Sequence, residues 1–338
     1  ENHNRDKRNG EEPTDRDSEG SGFESLYLVS VTKMKRDFLH ITDFTSAEID
    51  EVLELTARLK KEMREGKPHP LLKGKTLAMI FQKPSARTRV SFETGMYQLG
   101  GHALFLSPAD IGMGKREITA DIARLFSRYN DIIMARVFDH EHILDLGKYA
   151  TIPVINGLTD FNHPCQVMAD IFTVLEHRSH LNDLKVVFVG DGNNVAHSWF
   201  HLAQRIPMEL IIACPEGFEP DENVVRETQE TGLSSVSVSH DPHSAAAEAD
   251  VIYTDVWASM GQEEEAAERR KTFAPFQVNA ELMTSAGDQA CFMHCLPAHR
   301  GDEVTDEVID GPQSIVFDEA ENRMHVQKAI MAFLIGAV

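Results

Sequence analysis

The chain has 338 residues, and 33 Lys and Arg against 54 Asp and Glu leave a formal net charge of −21. That balance excludes a protein that lives on nucleic acid or anionic membrane through a broad basic face, and no apolar run approaches the roughly 18 residues of a membrane-spanning helix. The hydrophobic fraction of 42 % suffices for packed cores, and the length suggests about two domains. The four cysteines, Cys165, Cys214, Cys291 and Cys295, have no disulfide-framework spacing, so reduced thiols are expected. No signal-peptide pattern is visible. The expected compartment is cytoplasmic, with an organelle matrix or stroma as the alternative for a processed precursor.

Residues 1–22 hold no aliphatic, aromatic, Met or Cys side chain and read as a disordered acidic tail; folding is expected to begin near Asp37. Thr45 and Glu48 form a capping-box pattern before a helix carrying Ile49, Val52, Leu53, Leu59 and Met63. TLAMIF (76–81) reads as a buried strand, followed by a helix from about Arg87 to Leu99 and the strand HALFLS (102–107). TADIARLFSRY (119–129) reads as a helix and DIIMARV (131–137) as a strand. IPVIN (152–156) is a further strand before a helix from His163 to His177. The second half repeats the scheme: KVVFVG (185–190), ELIIAC (209–214), VIYTDVW (251–257), CFMHCL (291–296) and SIVF (314–317) read as strands. A last amphipathic helix spans Glu321 to Ile335. Apolar strands alternating with helices predict an α/β chain: two doubly wound domains with parallel sheets, divided near residues 178–184. Ligands of such folds bind beyond the carboxyl ends of the strands, so residues there are the candidates.

Seven motifs stand at such ends. FQKPSARTR puts Ser85, Arg87, Thr88 and Arg89 at a strand–helix junction, where free N–H groups, hydroxyls and guanidinium forks suit a phosphate; the blander reading is a solvated N-cap. Arg136 ends a strand, where a structural ion pair is the alternative. His163 and Gln166 in NHPCQ open a helix, as a carbonyl donor and an amide reader or as a simple cap. VVFVGDGNN resembles a degenerate dinucleotide fingerprint, but Gly190 and Gly192 are followed by Asn193, Asn194 and Val195, which argues against NAD. DVWASMG offers Asp255, Ser259 and Met260 for an amine or is an ordinary loop. FMHCLPAHRG holds His294, Cys295 and His299, too few convergent ligands for a firm metal reading; Leu296-Pro297 suggests a shaped turn instead. Arg323 in EAENRMH could reach an anion or pair with neighbouring acids.

In this order and spacing, GDGNN, D-x-x-x-SMG and HCLP resemble the aspartate/ornithine carbamoyltransferase family, over about residues 37 to 336, with SMG pointing to its ornithine branch. The resemblance implies transfer of a carbamoyl group from carbamoyl phosphate to the side-chain amine of ornithine, with no metal or organic cofactor, in a homotrimer or a multiple of trimers, and with neither nucleic acid nor membrane as partner. It implies a tail over 1–36, a carbamoyl-phosphate-binding domain over 37–178, an ornithine-binding domain over 179–320, and a C-terminal helix, 321–338, packed on the first domain. Carbamoyl phosphate would be held by Ser85, Ala86, Arg87, Thr88, Arg136, His163, Gln166, Cys295, Leu296 and Arg323, and ornithine by Asn194, Asp255, Ser259 and Met260. Arg87, Arg136, His163 and Cys295 would be catalytic. Two positions depart from the family pattern: Ala86 replaces a Thr, leaving only its N–H, and Gly112 stands where many relatives place Gln or His. The acidic run Glu263–Glu265 is expected to favour approach of a cationic amino acid. A carbamoyltransferase acting on acetylornithine or putrescine, a Rossmann-type oxidoreductase built on VFVGDGNN and a non-catalytic homologue are the competing readings.

Overall fold

A computed structural model describes residues 35–114, 116–258 and 266–337. The acidic tail, Ser259, Met260 and the Glu263–Glu265 run lie outside these described residues. Lys35 and Arg36, expected in the tail, are tied to the fold: Lys35 Nζ donates to Ala150 O (3.1 Å) and Arg36 pairs with Glu48.

The first half runs α1 (Ser46–Arg64), β1 (Thr76–Phe81), α2 (Ala86–Gln98), β2 (His102–Leu106), α3 (Pro108–Ile111), α4 (Thr119–Tyr129), β3 (Ile132–Arg136), α5 (His140–Tyr149), β4 (Val154–Leu158) and α6 (Pro164–Arg178). The second runs β5 (Lys185–Val189), α7 (Asn194–Ala203), β6 (Glu209–Ala213), α8 (Glu222–Thr231), β7 (Ser235–Ser239), α9 (Pro242–Ala246), β8 (Val251–Thr254), α10 (Ala266–Phe273), α11 (Ala280–Ala286), β9 (Cys291–His294), α12 (Asp306–Ile309) and α13 (Val316–Ile335). The capping box before α1 forms as its sequence predicts: Glu48 N–H donates to Thr45 Oγ1 (3.3 Å) and Thr45 N–H to Glu48 Oε2 (2.9 Å).

The strands make two parallel sheets, in the orders β2-β1-β3-β4 and β7-β6-β5-β8-β9. Strands β1, β3, β5 and β8 are almost wholly buried, which is why they read as unbroken apolar runs. Each order reverses once, between β1 and β3 and between β5 and β8. Connections leave in opposite directions at these points and open a crevice at the strand ends. Phe81 is in register with Arg136 at the first reversal, and Val189 with Thr254 at the second. The loops that carry the candidate residues therefore begin at the two crevices.

Two assignments are corrected. SIVF is not a strand. Ser314 makes only an isolated bridge to Phe292, and the chain turns into α13 at Val316, five residues before the expected helix start. A four-residue apolar run carries no period that separates strand from helix; here Phe317 is 69 % exposed whereas Val316 and Glu319 are buried, the signature of a helical turn. SVSVS, unassigned in the sequence, is β7, an edge strand with its serines partly exposed. The strand expected over 152–156 runs Val154–Leu158, beginning after Pro153, which has no N–H for the ladder.

Helix α13 follows the second sheet yet packs against α1, α2 and α6 of the first half, and touches β9 as well. Val326, Ala329, Ile330, Met331 and Ala332 join one apolar cluster with Leu53, Phe92, Phe172 and Trp199. The return of the last helix to the first half is thus a core contact, worth roughly 1.5–3 kcal/mol for each large side chain fully buried.

Candidate active site

The two crevices meet in a cavity of about 740 Å³. Of the predicted residues, Ser85, Arg87, Arg136, His163, Asn194, Asp255, Cys295, Leu296 and Arg323 line it. Ala86, Thr88 and Gln166 do not.

Ser85 caps α2, its Oγ accepting from Thr88 N–H (3.2 Å). Ala86 and Arg87 occupy the first turn, where N–H groups have no intrahelical acceptor and the helix dipole favours an anion. Thr88 is buried one turn deeper, and its Oγ1 accepts from Arg323 Nη2 (2.9 Å). That bond joins α13 to the phosphate-type loop and explains why Thr88 is absent from the cavity wall. Arg87 is exposed at the rim.

Arg136, His163, Gln166 and Arg323 are each at most 8 % exposed. Each has one buried polar atom without a hydrogen-bond partner: Arg136 Nε, His163 Nδ1, Gln166 Oε1 and Arg323 Nε. Orphaned buried polar atoms cost about 1–3 kcal/mol each, so four on one set of predicted ligands fit a site built for a polar guest. Burial and the Arg323 and Arg87 charges lower Arg136 to about 10, which leaves it cationic at neutral pH. Burial, then Arg323 and Arg136, hold His163 well below the usual imidazole range, so it is neutral. A neutral ring beside two guanidinium groups can donate one N–H without adding a third charge.

The loop before His163 is held by a closed ring of hydrogen bonds. Asn162 Nδ2 donates to Leu39 O (3.1 Å) and to His40 Nδ1 (2.9 Å). The first bond orients the amide, so His40 carries its proton on Nε2 and gives it to His140 Nε2 (3.3 Å). His140 Nδ1 then donates to Thr159 Oγ1 (2.9 Å), whose hydroxyl donates to Asn162 Oδ1 (3.2 Å). Thr159 O accepts from Asn194 Nδ2 (2.7 Å), and His163 N–H donates to Ser198 Oγ (2.7 Å). The first half's loop and the start of α7 are thereby bound together.

On the other wall, Asp255 Oδ1 accepts from Cys295 Sγ (3.0 Å) and Val256 N–H (2.8 Å), and Oδ2 from Asn193 Nδ2 (2.8 Å). Burial, followed by the Asp255 charge and its hydrogen bond, pushes the Cys295 thiol well above its ordinary value. Cys295 is therefore a thiol donor and not a thiolate nucleophile. Leu296 adopts a left-handed backbone (φ 57°), giving the shaped turn expected at HCLP.

Asp255, His294 and Cys295 bring ligand-type atoms within 4.8 Å of one another. His294 Nδ1 accepts from Leu296 N–H (2.8 Å), and Nε2 faces Glu303 Oε1 (3.0 Å). Both ring nitrogens are thus engaged in shaping the turn, which leaves Asp255 and Cys295 as the free donors of that trio. His299 is exposed at the cavity mouth and is not among the three whose ligand-type atoms converge. The GDGNN turn is likewise engaged: a Cβ on Gly192 would lie 2.3 Å from Pro220 N, and Asn193 caps α7.

Sequence reasoning missed Lys83, Asp160, Asn193 and His197, which also line the cavity. Lys83 is paired with Asp160 (3.0 Å) and lies over Phe138. A Lys following a strand was the available signal. Gly112 has φ 58°, and a Cβ there would meet Arg116 Cβ at 2.9 Å, so the backbone accounts for the glycine locally.

A doubly wound pair of sheets, with an anion-binding helix start on one wall and a hydrogen-bonded carboxylate on the other, defines an enzyme that joins an anionic donor to a cationic acceptor. The chain belongs to the aspartate/ornithine carbamoyltransferase family: residues 36–176 match its carbamoyl-P binding domain and residues 182–334 its Asp/Orn binding domain. It is 55 % identical over 320 residues to the chloroplastic ornithine carbamoyltransferase of Pisum sativum, covering 94 % of this chain and 85 % of the relative. It is 55 % identical over 306 residues to the anabolic ornithine carbamoyltransferase of Pyrococcus furiosus, covering 90 % and 97 %. The solved ornithine carbamoyltransferase from that organism superposes with a TM-score of 0.86 over 90 % of this chain and 98 % of its own.

Proposed function

We infer that this chain transfers the carbamoyl group of carbamoyl phosphate to the side-chain amine of L-ornithine, giving L-citrulline and phosphate, as in arginine biosynthesis. The observation that carries the site assignment is the set of four unpartnered buried atoms on Arg136, His163, Gln166 and Arg323 beside an anion-binding helix start. Carbamoyl phosphate offers the matching groups: phosphate oxygens, a carbonyl oxygen and an NH₂.

Attack of a neutral amine on the carbonyl carbon makes a tetrahedral oxyanion, and collapse expels phosphate. Arg87, Arg136 and His163 serve the carbonyl and bridging oxygens. Ser85, Thr88, Arg323 and the N–H groups of Ala86 and Arg87 serve the phosphate. Gln166 orients the carbamoyl NH₂. An alkyl ammonium has a pKa of about 10.4, so ornithine must shed a proton before it attacks. Asp255 holds the amino acid in its cationic form on binding. Cys295, a protonated thiol, donates a hydrogen bond to Asp255 at the strand-end turn. The ammonium proton is given up to solvent before attack, and the second proton, lost from the attacking nitrogen as the tetrahedral intermediate collapses, goes to the departing phosphate. Asn194, Asp255, Ser259 and Met260 make the ornithine pocket.

The proposed domains are residues 37–178 for carbamoyl phosphate and 179–320 for ornithine, with 321–338 returning to the first. A homotrimer is supported by six of the nine large apolar side chains left exposed among the described residues. Val90 and Tyr97 lie on α2, Leu104 on β2, and Ile118, Leu125 and Tyr129 along α4. No helix among the described residues is long and apolar enough to cross a membrane. Four unpaired cysteines support a reducing compartment, the cytoplasm or an organelle matrix or stroma.

The deciding experiment supplies carbamoyl phosphate with ornithine, aspartate, putrescine or acetylornithine in turn. Citrulline from ornithine alone is expected; a different carbamoylated product would reassign the acceptor.

A further inference from the structure

Beneath the cavity floor lies a buried group that the mechanism above leaves unused. Gln166 Nε2 donates to Asp170 Oδ1 (2.8 Å) and to Glu319 Oε1 (2.9 Å). Asp170 stands one turn beyond Gln166 on α6, and Glu319 one turn before Arg323 on α13. Tyr253 OH donates to Glu319 Oε1 (3.3 Å), and His294 N–H, next to Cys295, donates to Glu319 Oε2 (2.9 Å). Gln166, Asp170 and Glu319 are all fully buried.

We propose that Asp170 and Glu319 are positioning residues that lock the Gln166 amide with its oxygen toward the donor substrate, and so make the site select an acyl phosphate bearing NH₂ over one bearing CH₃. This rests on the reading that the site binds carbamoyl phosphate. Hydrogen-bond capacity fixes the orientation of the amide. A primary amide has two N–H donors and one carbonyl acceptor. Both donors of Gln166 are taken by carboxyl oxygens, so the amide has one allowed orientation. Its Oε1, buried and without a partner, is left as an acceptor for an N–H. A methyl group in that place leaves Oε1 unsatisfied, and sites built to hydrogen-bond a substrate N–H discriminate strongly against analogues that lack it.

The pair is chemically suited to the task. Burial pushes both carboxyl groups upward, the Asp170 charge adding to it at Glu319, so one proton is retained between them. Two acceptor oxygens therefore face Gln166 at the cost of a single buried negative charge, and Arg323 on the same helix offsets it.

The test compares carbamoyl phosphate, by its KM in citrulline formation, with acetyl phosphate, by its competitive inhibition constant. Asp170→Ala frees one Gln166 donor. It is expected to raise the KM for carbamoyl phosphate about tenfold while acetyl phosphate binding changes less than about threefold. Asp170→Asn keeps a carbonyl for Gln166 and gives its NH₂ to Glu319, so it should recover most of the lost selectivity. Glu319→Gln has one oxygen for three donors, Gln166, the Tyr253 hydroxyl and the His294 N–H, and should fall between; it carries the test if Asp170→Ala does not fold. Equal weakening of both ligands, selectivity unchanged in every folded variant, or no recovery by Asp170→Asn would overturn the proposal. Absence of citrulline with the unmodified chain would instead overturn the carbamoyl-transfer reading, which keeps the two failures distinct.

Discussion

Arg87 and Asp255 sit on opposite walls of the cavity, and their removal should damage opposite kinetic constants. Arg87 stands at an exposed helix start and is assigned to charge that grows during the reaction. Donors of this kind contribute on the order of 3 kcal/mol to the transition state, so Arg87→Ala should lower kcat by about 10²-fold with the KM for ornithine moved only a few-fold. Steady-state kinetics decide it; parallel losses in both constants would remove the transition-state role. Asp255 is oriented by the Cys295, Val256 and Asn193 donors and keeps acceptor capacity on Oδ2 for an amine. Asp255→Asn should raise the KM for ornithine about tenfold, because one charge-assisted contact is lost and an amide NH₂ now faces the Asn193 amide or the Cys295 thiol. An unchanged KM would place the acceptor elsewhere. At this scale the sequence was legible where chemistry and position coincide: Ser85, Arg136, His163 and Cys295 all announce themselves at strand or helix ends. Thr88 and Gln166 are the deepest of the assigned ligands: both are buried just under the lining residues, Thr88 against Arg323 and Gln166 with an unpartnered Oε1. Which of two neighbours faces a cavity is set by packing from α13, and no local pattern carries that.

Between residue and fold, the loop from β4 to α6 depends on the ring formed by His40, His140, Thr159 and Asn162. Each link requires a neutral imidazole: a proton on His40 Nδ1 would face the Asn162 NH₂, and one on His140 Nε2 would face the His40 N–H. Burial lowers His40, lowers His140 to about 4 and, with neighbouring imidazoles adding to it, lowers His201 to about 3. Asp43 and Glu227 oppose this at His40, and Asp139 opposes it at His140, but less strongly than burial acts. The unfolded chain takes protons near the ordinary imidazole value while the folded chain refuses them. Their contribution is therefore intact above about pH 6.5 and is lost progressively from there down to about pH 4. Urea midpoints should fall over that window, and less steeply in His140→Gln; identical slopes would show that the ring is not the acid-sensitive element. None of this was legible in advance. The three histidines are spread from position 40 to position 201, and only the fold brings them together. Elements with several turns of apolar period were legible; SIVF and SVSVS, too short to display one, were not.

For the whole molecule, the two reversals of strand order place both halves' ligand loops at one cavity, and that much follows from alternating strands and helices. Assembly is the property this scale adds. Six large apolar side chains on or beside α2, β2 and α4 are left exposed, and exposed apolar surface gathered in one region marks a contact with another chain. Light scattering should give a particle three times the chain's 37.9 kDa, and Tyr97→Glu, in a residue 79 % exposed, should shift it toward the single chain. A wild-type monomer would withdraw the trimer.

The path of α13 also has a meaning in time. Arg323 and Glu319 lie on α13, which leaves the ribosome after the other described elements that line the site, so they complete walls that are made earlier. During synthesis the apolar faces of α1, α2 and α6 must wait uncovered until that helix arrives, which is the interval in which association with other chains competes with folding. A product that stops short of α13 has no Arg323 to meet Thr88, so it is inert as well as unstable. The fold in effect withholds catalysis until α13 has been made.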